Sequence, residues 1–304
     1  MKVFVTGALG QLGHDVVYEL QKRNHEIYAS DIKDDADENL NDSKCQYIKL
    51  DMTDKDQAIA VISGIKPDAV IHCAAWTNVD GAELEENKET VYRINVEATK
   101  NIRDAARKSG AKLMYISTDY VFDGKGTKPW EPDDKTYRPL NYYGETKLGG
   151  ELAVSELEKY FIVRIAWVFG LNGKNFINTM LNLSKNHDEI RVVNDQIGTP
   201  TYTVDLARLL VDMIETEKYG YYHATNEGGY ISWYDFAKEI IRQAGINTKV
   251  TPVTTKDYGA SVAVRPFNSR LDKSKLVENG FKLLPDWKDA VGRYLKEKGF
   301  SEGA

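Results

Sequence analysis

Tyr143 and Lys147 stand four residues apart in the segment Tyr143-Gly-Glu-Thr-Lys147, a spacing that brings a phenol and an ammonium together on one helical face. An adjacent ammonium favours the phenolate and lowers a phenol pKa that starts at about 10. A pair of this kind can exchange protons near neutral pH. The spacing alone selects nothing. Tyr18 and Lys22, Tyr234 and Lys238, and Tyr294 and Lys298 share it, and with 18 tyrosines in 304 residues about two such pairs arise by chance. Around those three the pattern is amphipathic helix, where a solvated lysine beside a half-buried tyrosine is the ordinary arrangement. The choice depends on which pair the other elements carry to a ligand.

One ligand site is written into the first residues. Gly7-Ala-Leu-Gly10-Gln-Leu-Gly13 follows the apolar run Lys2 to Thr6 and opens a helical pattern of Leu12, Val16, Val17 and Leu20. In such a turn the early glycines let the backbone approach a pyrophosphate, the helix amides meet its charge, and the last glycine lets helix and strand pack closely. A plain glycine-rich turn is the alternative, but a strand before it and a helix after it point to dinucleotide binding, and no Walker lysine follows. Asp31 ends the second strand, 18 residues beyond Gly13, where a carboxylate accepts from an adenosine ribose and repels a 2′-phosphate. That favours NADH over NADPH, with Lys33 close enough to soften the preference; a turn aspartate is the plainer reading. Asp51 and Met52 close the third strand beside the expected adenine edge. Ala74, Ala75, Trp76 and Thr77 close the fourth, where small residues let a cofactor lie against the backbone. Simple strand termination would explain both, but all converge on one sheet edge.

Short apolar strands alternate with helical stretches from the start: His25 to Ser30, Tyr47 to Leu50, Ala69 to Ala74, Lys112 to Ile116 and Phe161 to Ala166, with helices such as Asp54 to Ser63 and Glu89 to Lys108 between them. This alternation predicts an α/β fold, a Rossmann-like doubly wound parallel sheet covered on both faces. After about Trp167 it loosens into helices at Asn175 to Lys185, Thr203 to Glu215, Ser232 to Gln243 with Ser232 as N-cap, and Asp286 to Lys298. The expected division is 1–167, an NAD(P)-binding domain with the catalytic residues, and 168–304, a smaller, mainly substrate-binding region. The boundary is open by tens of residues, with room for some segments to return to the first domain. The fifth strand runs into Ser117-Thr118-Asp119-Tyr120-Val121-Phe122-Asp123-Gly124, placing hydroxyls where doubly wound folds bind ligands. Only Tyr143 and Lys147 follow such a strand end.

The formal charge of −6, with basic residues dispersed, speaks against a nucleic-acid footprint. No run reaches the 18 or so apolar residues of a membrane span, and Met1-Lys2 passes directly into the first strand with no signal-like segment, so a cytoplasmic protein is expected. Cys45 and Cys73 read as buried thiols. His72 and Cys73 are strand neighbours facing opposite sides, and no HExxH or paired CxxC occurs, so no metal site is expected.

The chain resembles the extended short-chain dehydrogenase/reductases, and among them the dTDP-4-dehydrorhamnose reductase family, over nearly its whole length. The glycine and Tyr/Lys motifs carry the broad resemblance. The narrower one rests on Ser-Thr-Asp-Tyr-Val-Phe-Asp-Gly from Ser117, Arg164-Ile-Ala-Trp-Val-Phe-Gly170, and Arg265-Pro-Phe-Asn-Ser-Arg-Leu-Asp272. The resemblance implies NAD(P)H reduction of the C4 ketone of dTDP-4-dehydro-L-rhamnose to dTDP-L-rhamnose, a deoxysugar precursor for polysaccharide. In that scheme Thr118 hydrogen-bonds the carbonyl oxygen, Tyr143 delivers the proton, and Lys147 biases Tyr143 and holds the nicotinamide ribose. Thr118 stands where the broad family most often has serine, and Ser117, on the other strand face, is the weaker candidate. Asp119 and Trp167 are placed at the deoxyhexulose, with core packing the other reading of Trp167. Asn175, beside Phe176, and Arg265 are placed toward the dTDP moiety, an ion pair being the other reading of Arg265. The cofactor contacts implied are Gly10, Gln11, Leu12, Asp31, Asp51, Met52, Ala75, Trp76 and Thr77. Some family members use Mg²⁺ at a dimer contact; no ligands for it are assignable here, and monomer and homodimer both stay open. The rival readings are a sugar-nucleotide epimerase or dehydratase with tightly bound NAD, against which Asp119-Tyr120 leans because a dehydratase would carry an acidic pair there, and a non-catalytic regulatory subunit of the same fold.

Overall fold

Seven parallel strands form the central sheet of the protein, a computed structural model that describes residues 1–34, 40, 44–259 and 261–300. Six come in chain order: β1 (Lys2–Thr6), β2 (Glu26–Asp31), β3 (Cys45–Lys49), β4 (Ala69–His72), β5 (Lys112–Thr118) and β6 (Tyr160–Ile165). The seventh, Gly220–His223, pairs in parallel with β6, and the spatial order is seventh-β6-β5-β4-β1-β2-β3. Chain direction across the sheet reverses between β1 and β4, which opens a crevice at their carboxyl ends. The inner strands are buried on both faces: Val3, Val5, Ile27 and Ile71 meet one layer of helices, while Phe4, Val70, Leu113 and Ile162 meet the other.

Helix Gln11–Lys22 packs in the same apolar cluster as helix Thr203–Ile214, through Val16, Val17 and Leu20 against Leu206 and Leu210. Segments from beyond residue 200 thus supply both a helix and the edge strand of the central sheet. The helical stretch expected from Glu89 begins earlier, at Glu85, where Glu85 and Glu86 suit the amino-terminal end of the helix dipole. It runs to Ser109 through a π-helical turn at Arg93–Glu97. The remaining chain gathers around a separate cluster of Phe169, Ile177, Phe236, Trp287 and Tyr294. Helix Trp233–Gln243 there starts from Ser232 with a full capping box to Asp235.

Candidate active site

Close contacts shape the glycine turn. Gly7 sits at φ +66°, and a Cβ there would meet the Ala74 amide nitrogen at 2.7 Å; at Gly13 it would meet the Gly7 carbonyl oxygen at 2.1 Å. Gly10 precedes helix Gln11–Lys22 with no side-chain cap and no acidic residue in the first turn, so the first amides are left to a ligand anion. These features fit a dinucleotide pyrophosphate. Asp31 braces the turn, its Oδ2 accepting from the Leu9 amide at 3.1 Å and its Oδ1 from the Ile32 amide at 2.8 Å. From the turn a cavity of about 590 Å³ extends past Gln11, Leu12, Asp31, Asp51, Met52, Ala74, Ala75 and Thr77 to Thr118, Asp119, Tyr143, Lys147 and Trp167. Gly13 and Trp76 stand behind this wall. Trp76 packs with Tyr143 and Val91 and donates its ring N–H to the Asn78 carbonyl at 2.8 Å.

Thr118, Tyr143 and Lys147 meet at the far end. β5 delivers Thr118, whose hydroxyl donates to Asp119 Oδ1 at 3.0 Å and accepts from the Tyr120 amide at 3.3 Å. Helix Tyr142–Val154, capped by Asn141, delivers Tyr143 and Lys147. Lys147 Nζ donates to the Ile116 carbonyl at 2.8 Å and lies 4.1 Å from the centroid of the Tyr115 ring. Burial pulls this ammonium down to about 7, against the opposing pull of Glu151. Burial also raises the Tyr143 phenol well above its usual value, with Asp119 and Tyr120 adding to the rise and Thr118 opposing it. The lowering expected from an adjacent ammonium does not arise, because Lys147 turns its ammonium to the Ile116 carbonyl and the Tyr115 ring and the only opposing pull on Tyr143 comes from Thr118, so Tyr143 rests protonated. The other three Tyr/Lys pairs are cation–π contacts, with the ammonium 4.2 Å from the ring at Tyr18, 5.4 Å at Tyr234 and 5.8 Å at Tyr294. Burial raises the Asp119 carboxyl to about 6 against hydrogen bonds from Ser269 and Thr118. Its Oδ2 has no hydrogen-bond partner among the described residues.

A second cavity, of about 580 Å³, adjoins the first, and Tyr120 lines both. Arg265 lines it, paired with Asp80 at 2.6 Å and donating to the Tyr120 hydroxyl at 3.1 Å. Trp167 in the first cavity stacks on Trp233 in the second at 3.8 Å between centroids. It does so from a left-handed backbone, φ +52°, where a side chain is strained. Asn175 lines neither cavity. It caps helix Phe176–Ser184, and its amide donates to the Gly170 carbonyl at 2.8 Å and to Gln11 Oε1 at 3.2 Å.

Comparison with known proteins places this geometry. A family described as the RmlD substrate binding domain matches residues 1–299. The dTDP-4-dehydrorhamnose reductase of Aggregatibacter actinomycetemcomitans is 37% identical over 305 residues, covering 95% of this chain and 97% of its own. The chain belongs to the dTDP-4-dehydrorhamnose reductase family. A crystal structure of a dTDP-4-dehydrorhamnose reductase from Clostridium acetobutylicum superposes with a TM-score of 0.89 at 41% identity, covering 98% of this chain and all of that one. A dTDP-4-dehydrorhamnose reductase from Bacillus anthracis, solved in complex with NADP, gives 0.86 at 40% identity over 97% and 99% of the two chains. The Rossmann-like fold and the class of nicotinamide-dependent oxidoreductase expected from the sequence both stand.

Several residues that shape this dTDP-4-dehydrorhamnose reductase family site carry no motif of their own. Asn95, in the π-helical turn, accepts from the Trp76 amide at 2.8 Å and donates to Thr146 Oγ1 at 3.0 Å, tying the end of β4 to the helix that carries Tyr143 and Lys147. π-turns inside helices recur at functional sites, but a five-residue interruption leaves little trace in hydrophobic periodicity. Glu151, one turn beyond Lys147, forms a two-pronged pair with Arg164 of β6, both contacts 2.8 Å and both side chains fully buried. Lys174 lines the cofactor cavity. Cys73 lines it too, its thiol raised by burial to about 12 and so unreactive. No group of three or more potential metal ligands occurs among the described residues, and no described helix is long and apolar enough to cross a membrane.

Proposed function

We propose that this chain reduces the C4 ketone of dTDP-4-dehydro-L-rhamnose to dTDP-L-rhamnose, with Thr118, Tyr143 and Lys147 as catalytic residues. The observation that carries the reading is one continuous cavity with the glycine cradle at one end and these three side chains at the other, opening at Tyr120 onto a second cavity with Arg265 in its wall. A reduced nicotinamide, when bound, supplies the hydride. The chain's own groups deal with the charge that grows on the ketone oxygen. Thr118 turns its hydroxyl from Asp119 to that oxygen, and Tyr143, protonated at rest, delivers the proton. Lys147 holds one of its three N–H donors on Ile116 and has two for the nicotinamide ribose. Asp119, released by Thr118 and with Oδ2 unengaged, accepts from a sugar hydroxyl. Trp167 offers a ring face to the sugar, Arg265 a guanidinium to the diphosphate, and Asn175 sets the helix that walls the nucleotide end.

For the cofactor we infer a preference for NADH, from the Asp31 carboxylate at the ribose end of the cavity; replacing Asp31 with asparagine is expected to shift the ratio of kcat/KM toward NADPH. The decisive assay follows oxidation of reduced nicotinamide with dTDP-4-dehydro-L-rhamnose against other 4-ketohexose nucleotides. Oxidation with that sugar above the rest supports the reading. No oxidation with any of them would point to a regulatory subunit, and NAD retained through purification without net turnover would point to an epimerase or dehydratase.

A further inference from the structure

Adjacent residues face the two cavities: Val79 lines the cofactor side and Asp80 the second cavity. Both belong to the short helix Val79–Ala82, whose cap Asn78 accepts from the Gly81 amide at 3.0 Å. Trp76 and Asn95 anchor that helix to the end of β4, through the Trp76 ring N–H on the Asn78 carbonyl and the Trp76 amide on Asn95. Asp80 therefore lines the second cavity from a helix whose neighbouring residue, Val79, lines the first.

Residues 261–267 form one wall of the second cavity. Val262, Val264 and Phe267 are turned to solvent, 65%, 59% and 51% exposed, while Ala263 and Pro266 are buried and the Phe267 carbonyl accepts from the Ile197 amide at 2.9 Å. Polar contacts add to this hold at the amino-terminal end of the segment. Three groups converge on the Asp80 carboxylate: Ser261 Oγ at 3.1 Å, the Ala263 amide at 3.0 Å and Arg265 Nη2 at 2.6 Å. Burial works against the charge, but the Ala263 amide and Arg265 win and hold this carboxyl below the ordinary carboxylate range. A fourth contact, Asn141 Nδ2 to the Val264 carbonyl at 2.9 Å, ties the same segment to the cap of the catalytic helix. Arg265 is steered by Asp80 on one side and the Tyr120 hydroxyl on the other.

We propose that Asp80 is a positioning residue for the sugar-nucleotide substrate, a latch that fixes residues 261–267 over the second cavity and aims the Arg265 guanidinium at the substrate diphosphate. This rests on the reading of the second cavity as the sugar-nucleotide site. Asp80 acts through the segment and not on the ketone, so its loss weakens binding of the ground state and the transition state alike.

Steady-state kinetics on the full chain test this, with wild type, Asp80→Asn and Ser261→Ala at saturating cofactor. Asp80→Asn is expected to raise KM for the dTDP-ketosugar about tenfold, with kcat within about threefold of wild type and KM for the reduced nicotinamide unchanged. Ser261→Ala removes one donor of three and is expected to raise the same KM by about two- to threefold. In hydrogen exchange, amides of residues 261–267 in Asp80→Asn should exchange faster while those of helix Tyr142–Val154 keep wild-type rates. An unchanged or lowered sugar-nucleotide KM, a loss confined to kcat, or faster exchange throughout the chain would overturn the latch. A wild-type protein that oxidises no cofactor with the ketosugar would overturn the functional reading itself, before any variant is compared.

Discussion

Tyr143 and Asp119 share one buried corner, where burial pushes both toward their neutral forms and keeps Tyr143 a proton donor. Replacing Tyr143 with phenylalanine removes the proton donor and is expected to lower kcat by about 10²–10⁴-fold, while cofactor binding, measured by fluorescence titration of NADH, stays at the wild-type level. Asp119 carries a cost. Its carboxyl rises from 3.8 to about 6 on folding, so the folded chain holds this proton more tightly than the unfolded chain. The resulting stability is fully present below pH 3.8 and is lost as pH rises through about 6. At neutral pH the buried carboxylate then costs at most about 3 kcal/mol. Asp119→Asn should raise the thermal midpoint relative to wild type at pH 7 more than at pH 4, in paired denaturation scans, while turnover falls. Residues of this kind were legible where a local string names them, as at Thr118 and Tyr143. The rise of the Tyr143 phenol was not, because it depends on burial, Asp119 and Tyr120, which spacing along one helix does not report.

Helix Tyr142–Val154 is an unusual element, holding Gly144 in its first turn and Gly149 and Gly150 in its interior, where glycine disfavours helix by about 1 kcal/mol relative to alanine. Close approach explains them. A Cβ at Gly150 would meet the Tyr115 hydroxyl at 2.2 Å, and one at Gly144 would meet the Tyr120 carbonyl at 2.4 Å. The Tyr115 hydroxyl donates to the Lys147 carbonyl at 3.3 Å and its ring underlies the Lys147 ammonium. Gly150→Ala, a helix-favouring change on propensity alone, is therefore expected to destabilise by about 1–3 kcal/mol and to reduce kcat, read from urea denaturation and turnover on the same sample. Elements with a clear period or cap were legible in advance: the strands from Lys2 to Ile165, and Ser232 as a cap. Strand Gly220–His223 was not, because Gly-Tyr-Tyr-His lacks the aliphatic run that marks the equally short Ala69–His72 and its place is set by pairing with β6, more than fifty positions earlier.

At the scale of the whole molecule, residues from beyond 200 complete the first core. His223 of the seventh strand approaches the Arg164 guanidinium at 3.3 Å, and helix Thr203–Ile214 covers helix Gln11–Lys22. A fragment of residues 1–167 would expose the edge of β6 and the apolar face formed by Val16, Val17 and Leu20, so it is expected to aggregate on expression, with light scattering as the measure. Cavities formed between distant segments escape a linear reading for the same reason, and Asp80 with residues 261–267 is the example here. Tyr120, the wall common to both cavities, has a practical consequence. Two ligands seated on either side of it are neighbours, so one molecule joining a thymidine diphosphate to an anionic dinucleotide mimic can fill both cavities at once. Its second half would bind at the high effective concentration set by the tether, with a gain of about 10²–10⁴-fold over either half alone. A series of such compounds differing only in linker length should show an affinity optimum at the span of one hexose, which makes tether geometry the first variable for inhibitor design.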